Sequence, residues 1–78
     1  MILHILVPFD IRQIERIIAL RYILVDTIEA RNIGYVVEEG IGEYEVEVFV
    51  EVTGNLRKVK RKLSSLLISL GLDNALII

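Results

Sequence analysis

A row of glutamates at alternate positions is the first feature of this sequence that could do chemistry. In the segment EYEVEVFVEV, residues 43 to 52, Glu43, Glu45, Glu47 and Glu51 occupy odd-numbered positions, and Phe49 occupies the remaining one. Successive side chains of a β-strand point to opposite faces of the sheet, so these residues share one face. Carboxylates two residues apart on a strand lie about 6.6 Å apart, close enough to share a divalent ion.

The first strand brings further residues to the same face. Residues 1 to 7 are almost wholly apolar, which is typical of a central strand. The simplest phase divides them into Leu3, Ile5 and Val7 for the core, and Ile2, His4 and Leu6 for the glutamate face.

Three interpretations of this face remain open. A row of glutamates facing water is ordinary for an antiparallel sheet. A large aromatic ring among carboxylates favours a contact between subunits, with the ring as anchor and glutamates at the rim. The predicted contact residues are Phe49, Ile2, His4, Leu6, Glu45 and Glu47. A divalent-ion site made by Glu45, Glu47 and His4 is the third interpretation and stays an alternative; no Asp or second His accompanies them, so we assign no metal-ligating residue.

A run of cations, LRKVKRK at residues 56 to 62, is the second candidate site. It suggests an anion-binding site made by Arg57, Lys58, Lys60, Arg61 and Lys62, with a solvated cationic helix face as the alternative. Cations at the start of a helix oppose its dipole, so an anion, a neighbouring carboxylate or simply water must offset them. The net charge of −2 and the acidic sheet argue against nucleic acid as the main ligand.

Catalytic groups are scarce. The chain has no Cys and a single His, and its serines at 64, 65 and 69 lie in a helical pattern without a neighbouring base. The sequence Gly40-Ile41-Gly42 lacks the further Gly and the Lys-Ser/Thr of a phosphate-binding loop. We therefore expect no catalytic residue, no cofactor and no enzymatic activity.

Composition predicts a single domain, residues 1–78, that associates with other copies. A chain of 78 residues has a small core, and without Cys it has no disulfide to reinforce it. Hydrophobic residues nevertheless make up 54% of the chain, more than a small monomer can bury. No run of 18 apolar residues and no signal-peptide pattern occurs, so we expect a cytoplasmic protein. The high content of Ile, Val and Glu is typical of proteins from thermophiles.

The order of elements predicts an α+β fold, the ferredoxin-like α/β plait. The predicted strands are Met1 to Val7, Tyr35 to Glu39, Glu43 to Val52 and Ala75 to Ile78, with the connector Gly40 to Gly42 between the second and third. The first predicted helix begins at Ile11, is capped by Asp10 with Gln13, and is ended by Asn32 and Gly34. The second predicted helix is capped by Asn55 and ended by Gly71. Right-handed crossovers then give an antiparallel sheet in the order 4-1-3-2 with both helices on one face.

Helical spacing predicts which residues face the core. The first helix places Ile11, Ile14, Ile17, Ile18, Tyr22, Leu24, Val25 and Ile28 on one broad face, with Arg21 among them and Leu20 and Ile23 towards water. The second helix has a stripe of Leu56, Val59, Leu63, Leu66, Leu67 and Leu70. In the third strand, Tyr44 and the valines should face the helices.

At the level of element order the chain resembles small ligand-sensing and metallochaperone plaits, but it lacks their motifs. The segment Val7-Pro8-Phe9-Asp10-Ile11 has no Gly, and the paired Cys of metallochaperones are absent. We therefore expect a homo-oligomeric, regulatory-type module that binds a protein or a small ligand.

Overall fold

A four-stranded antiparallel sheet carries two helices in this structure, a computed structural model that describes residues 1–78. In chain order the elements are β1 (Ile2–Pro8), a short 3-10 turn (Ile11–Gln13), α1 (Ile14–Ala30), β2 (Tyr35–Ile41), β3 (Glu45–Glu51), α2 (Leu56–Ser69) and β4 (Leu76–Ile77). The strand order is β2-β3-β1-β4, which reads 4-1-3-2 when counted from the β4 edge. The chain is therefore α+β, with β1 and β3 as its central strands.

One cluster of buried side chains joins both helices to a single face of the sheet. The strands contribute Leu3, Ile5, Val7, Val46, Val48 and Val50, and the helices contribute Ile17, Leu24, Ile28, Val59, Leu63, Leu66 and Leu67. The predicted phase of β1 is confirmed, since its odd-numbered residues are the buried ones. The predicted stripe of α2 is confirmed as well, with Leu56 and Leu70 packed at its ends.

The start of the first helical segment is only partly as predicted. Asp10 does act as an N-cap, but it caps the 3-10 turn by accepting a hydrogen bond from the backbone N–H of Arg12 at 2.9 Å. The side chain of Gln13 makes no capping bond. The side chain that does bind Asp10 is that of Arg12, whose guanidinium donates to both carboxylate oxygens at 3.1 and 2.8 Å.

The buried stripe of α1 differs from the predicted one. Ile11, Ile18 and Tyr22 are exposed, whereas Leu20, predicted to face water, packs against the core. The stripe is thus rotated towards Leu20. The helix is apolar around most of its circumference, so its periodicity alone could not decide which side would meet the sheet.

The chain leaves α1 through a left-handed residue and a close backbone contact. Asn32 has φ of 53°, as expected of a helix C-terminus. Gly34 lies against β3 so closely that an added Cβ would be 2.5 Å from Val50 Cγ1 and 2.8 Å from the carbonyl oxygen of Glu51. Gly34 is therefore required for close approach and not for an unusual φ.

The hairpin between β2 and β3 was predicted at the wrong residues. Strand β2 continues through Gly40 and Ile41, so the turn lies at residues 42 to 44. Tyr44 precedes β3 and is 75% exposed, so it is not packed in the core beneath the helices. A β-bulge between Val36 and Glu38 also shifts the register of β2, because it inserts one extra residue opposite β3.

The second helix and the last strand begin and end close to the predicted residues. Asn55 Oδ1 accepts a hydrogen bond from the N–H of Lys58 at 3.1 Å, and Gly71 has φ of 75°. Strand β4 has only two residues, but Ile78 continues its pairing through two backbone hydrogen bonds with His4.

Gly34→Ala should destabilise the fold, because its Cβ would overlap Val50 and a backbone oxygen. We expect a loss of about 1–3 kcal/mol in the free energy of unfolding, measured by chemical denaturation. Gly40→Ala is the control: a Cβ there meets nothing within 4 Å, so stability should change by about 0.5 kcal/mol or less. Equal effects of the two substitutions would contradict the close approach.

The Arg12 guanidinium, and then the Arg12 N–H, hold the pKa of Asp10 below its usual value. A carboxyl whose folded pKa lies below its unfolded pKa stabilises the fold above the unfolded pKa, and this stabilisation is lost as the pH falls through the folded pKa. Arg12→Ala should therefore raise the pKa of Asp10 towards the ordinary aspartate value in an NMR titration of the carboxyl carbon. Arg16→Ala should leave it unchanged, and an unchanged pKa in Arg12→Ala would contradict the pairing.

Candidate functional site

The face of the sheet opposite the helices, called here the open face, is covered by no other part of the chain. Pairing in register places side chains of neighbouring strands on the same face. Pairing of β1 with β3 puts His4 opposite Phe49, and pairing of β1 with β4 puts Leu6 opposite Leu76. The open face consists of Ile2, His4 and Leu6, then Glu45, Glu47, Phe49 and Glu51, then Tyr35 and Glu38, and finally Leu76 and Ile78.

All six predicted contact residues therefore lie on one surface. The sequence interpretation missed the contributions of the edge strands. Leu76 and Ile78 could have been found by carrying the alternation of side chains into the last strand. Glu38 could not, because the bulge in β2 changes the phase of that strand.

The open face is divided lengthwise into an apolar half and an acidic half. The apolar half consists of Ile2, Leu6, Leu76 and Ile78 on β1 and β4, and the acidic half consists of Glu38, Glu45, Glu47 and Glu51 on β2 and β3. In the apolar half Ile2 is 55%, Leu76 54% and Ile78 65% exposed. These side chains lie in one continuous area, unlike the scattered apolar residues of an ordinary surface.

A stacked pair of rings marks the boundary between the two halves. The imidazole of His4 and the ring of Phe49 lie with centroids 4.4 Å apart and planes 7° apart. Glu47 Oε1 is 3.3 Å from His4 Nε2, yet the geometry forms no hydrogen bond, and that nitrogen has no other partner. The aromatic residue that interrupts the glutamate row thus covers the only imidazole in the chain.

A divalent-ion site finds no support in this geometry. His4 and Glu47 come together, but no group of three or more His, Asp or Glu side chains is placed to hold an ion. The other carboxylates of the row are spread along the strand, and Glu51 instead pairs with the terminal ammonium of Met1 at 3.0 Å.

The predicted cation cluster is distributed around α2. Lys58 and Lys62 line a cleft of about 590 Å³ beside the start of β2, whereas Lys60 lines a cleft on the β4 side. Arg57 and Arg61 lie on the helix surface between these two flanks. Arg31, at the end of α1, joins the group by lining a second cleft, of about 510 Å³, with Lys62. The sequence does not indicate that Arg31 lies near Lys62, because their proximity depends on how the two helices pack.

We call these six residues, Arg31, Arg57, Lys58, Lys60, Arg61 and Lys62, the cationic surface. None of them forms a salt bridge; the cations that do are Met1, Arg12 and Arg21, and His4 lies beside Glu47. Helix α2 has no acidic residue of its own. Carboxylates do lie nearby, since Glu29 and Glu51 line the cleft of Lys58 and Lys62, and Asp73 lines the cleft of Lys60. The charge on this surface is therefore offset in part by its neighbours, without a direct ion pair.

Arg21, the cation inside the apolar stripe of α1, has an acidic partner in the same chain. Its Nη1 atom lies 3.6 Å from Glu39 Oε1, too far for a hydrogen bond, and its buried Nε has no partner. The bulge in β2 makes the contact possible, because it places Glu39 opposite Val48 on the helix side of the sheet. Arg21 thus connects α1 to the edge strand and is not part of the open face.

Neither helix is long and apolar enough to cross a membrane. Comparison of the chain with known protein families, curated proteins and solved structures finds no match in any of the three. Functional inference therefore rests on the two surfaces described above.

The stack of His4 on Phe49 should be measurable as a coupling energy. In a double-mutant cycle with His4→Leu and Phe49→Leu, we expect a coupling of about 0.5–1.5 kcal/mol in the free energy of unfolding, because aromatic pairs contribute that much beyond buried area. A cycle between Phe49 and the distant Ile23 should be additive within about 0.5 kcal/mol. Additivity in the first cycle as well would show that the stacked rings contribute nothing beyond burial.

Proposed function

We propose that this chain is a non-catalytic module that works as a homodimer, in which two copies meet through the apolar halves of their open faces. The observation behind this proposal is the continuous apolar half itself. Exposed apolar areas of this kind mark interaction sites in folded proteins, because leaving them in water is unfavourable. Ile2, Leu76 and Ile78 are each more than half exposed in the single chain.

We infer further that the fold is the ferredoxin-like plait. The alternation of strands and helices and the strand order β2-β3-β1-β4 support this assignment. In such a fold both helices cover one face of the sheet and leave the other free for a partner. This free face is where the proposal places the second copy.

The division of the open face restricts how two copies can meet. A direct face-to-face alignment would place the acidic half of one copy on either the acidic or the apolar half of the other. The first arrangement opposes like charges, and the second removes carboxylates from water without a partner. A two-fold axis parallel to the strands, between β1 and β4, avoids both problems. It places Leu6 of one copy near Leu76 of the other and leaves both acidic halves in water.

The area available favours a dimer that dissociates on dilution. Three strands of seven residues and one of two residues, about 4.8 Å apart, span a face of about 360 Å², of which the apolar half on β1 and β4 is about 140 Å². A contact of this size lies below the range of stable specific interfaces, so the dimer should be a weak, transient one. Phe49 and His4 lie at the edge of the contact, where the ring stack can exclude water from its margin.

Several contacts support a non-catalytic role. The only imidazole lies against Phe49 and beside a single carboxylate. Ser69, one of three serines on α2, donates its hydroxyl to the carbonyl oxygen of Leu66. No arrangement of a nucleophile beside a base occurs among these groups. A protein or small-ligand partner would approach the dimer through the surfaces that remain exposed.

Ile2→Glu should weaken self-association, because it puts a carboxylate at the β1 end of the apolar half, opposite Glu51. Sedimentation velocity over a concentration series should show a dimer at high concentration for the natural chain and a monomer for the variant. Ile23→Glu is the matched control: Ile23 is similarly exposed, at 48%, but lies on α1. This control should dimerise like the natural chain.

A natural chain that stays monomeric at high concentration would overturn the proposal. A dimer unaffected by Ile2→Glu and by Phe49→Glu would show that the copies meet elsewhere. Circular dichroism of each variant separates loss of pairing from loss of folding, and Ile2 is exposed enough that the folded monomer should survive the change.

A further inference from the structure

The cationic surface on the helical layer has a charge and a shape that the proposed dimer does not use. It lies on the helix side of the sheet, although Glu51 of the acidic half lines the cleft beside Lys58 and Lys62. The molecule is therefore electrically polarised, although its net charge is only −2. A local cationic area attracts anions even on a protein whose overall charge is negative.

We propose that this surface binds the phosphate backbone of double-stranded nucleic acid, without sequence preference. The first argument is number and extent. Six cations, none of them in a salt bridge, lie on and beside α2, and the five on the helix fall within residues 57 to 62, about 7.5 Å along its axis. A duplex carries one negative charge per about 1.7 Å of its axis, so about four phosphates span this length. A ligand with a single phosphate would engage only a fraction of the surface.

The arrangement of the cations also matches an extended ligand. Lys58 and Lys62 project towards the β2 side of α2, Lys60 projects towards the β4 side, and Arg57 and Arg61 lie between them. Arg31 adds a cation from α1, across the cleft from Lys62. The clefts are open and do not enclose a small molecule.

The chemistry between the cations distinguishes a duplex from other polyanions. Helix α2 has no aromatic residue, and Tyr35 of β2 is the one aromatic side chain that lines the clefts of the cationic surface. A single ring falls short of the succession of aromatic side chains on which the bases of single-stranded nucleic acid stack. The only largely exposed apolar side chain of α2 is Ile68, so the surface also lacks the apolar centre of a protein interface. The hydroxyl of Ser65, beside Arg31 and Lys62, is a further group that can donate to a phosphate oxygen.

The packing of α2 explains why we expect no sequence preference. A recognition helix reads bases by projecting into the major groove. Helix α2 instead lies beside α1 in the same layer, and Arg31 and Lys62 line one cleft between them. The neighbouring helix would meet the nucleic-acid backbone before α2 could enter the groove deeply. Contact would therefore be limited to phosphates, which carry no sequence information.

Fluorescence anisotropy with a labelled mixed-sequence duplex of about two helical turns tests this inference with the full chain. Binding should weaken steeply between about 50 and 200 mM salt, with a slope of log K against log salt of about −0.9 for each phosphate contacted. Arg61→Gln should reduce the size of that slope by about 0.9, and Lys58→Gln with Lys62→Gln by about 1.8. Duplexes of different sequence should bind equally.

Arg16→Gln is the matched control. Arg16 is also an exposed arginine on a helix without a carboxylate partner, but its guanidinium lies near Gly71, at the other end of the helical layer. Its replacement should leave affinity and salt slope unchanged. In the Ile2→Glu variant the slope of log K against log salt, per chain, should be the same as in the natural chain. Loss of the proposed dimer can therefore be distinguished from loss of nucleic-acid binding.

Four results would overturn the inference: absence of binding at about 50 mM salt, an equal loss in Arg16→Gln and Arg61→Gln, tighter binding of a single strand than of the duplex, or equal competition by polyglutamate. The last result would identify an acidic protein as the partner. Unchanged circular dichroism of the variants, all at exposed positions, would show that any loss of binding is not a loss of folding.

Discussion

The pairing of β1 with β3 in one register is the constraint on which the rest of the structure depends. It sets Leu3 against Val50, Ile5 against Val48 and Val7 against Val46, and these pairs form the floor of the core. The same pairing sets His4 against Phe49 on the opposite side. A shift by one residue would turn the glutamates of β3 into the core and its valines into water. Burial of the helical stripes and exposure of the acidic row therefore have the same cause.

The two sides of this sheet have different electrical surroundings. Carboxylates collect on the open face, and unpaired cations collect on α2, so each face is suited to a different kind of neighbour. The proposed pairing of copies uses only the apolar half, because that arrangement leaves the carboxylates hydrated. It also leaves α2 on the outside of both copies, which is compatible with the proposed contact to phosphates.

The edge strand β2 shows how a local irregularity changes the roles of particular residues. Its bulge directs Glu39 towards Arg21 on the helix side and Glu38 towards Phe49 on the open face, although the two glutamates are adjacent in sequence. Glu29 accepts a hydrogen bond from the N–H of Val36, which satisfies one donor of the exposed edge. Bulges and acidic side chains are among the devices that prevent edge strands from pairing indiscriminately.

The sequence by itself determined the elements whose pattern of apolar and polar residues fits only one choice of buried face. Strict alternation in β3 and the leucine stripe of α2 each allow a single burial phase, so the valine core, the position of Phe49 and the caps at Asn55 and Gly71 were predictable. Tertiary structure decided the elements whose sequence pattern fits more than one buried face. Helix α1 is apolar on most sides, so contact with the sheet chose its buried stripe. The bulge that reorients Glu39 and the approach of Arg31 to Lys62 depend on segments distant in sequence, and local periodicity contains no information about such contacts.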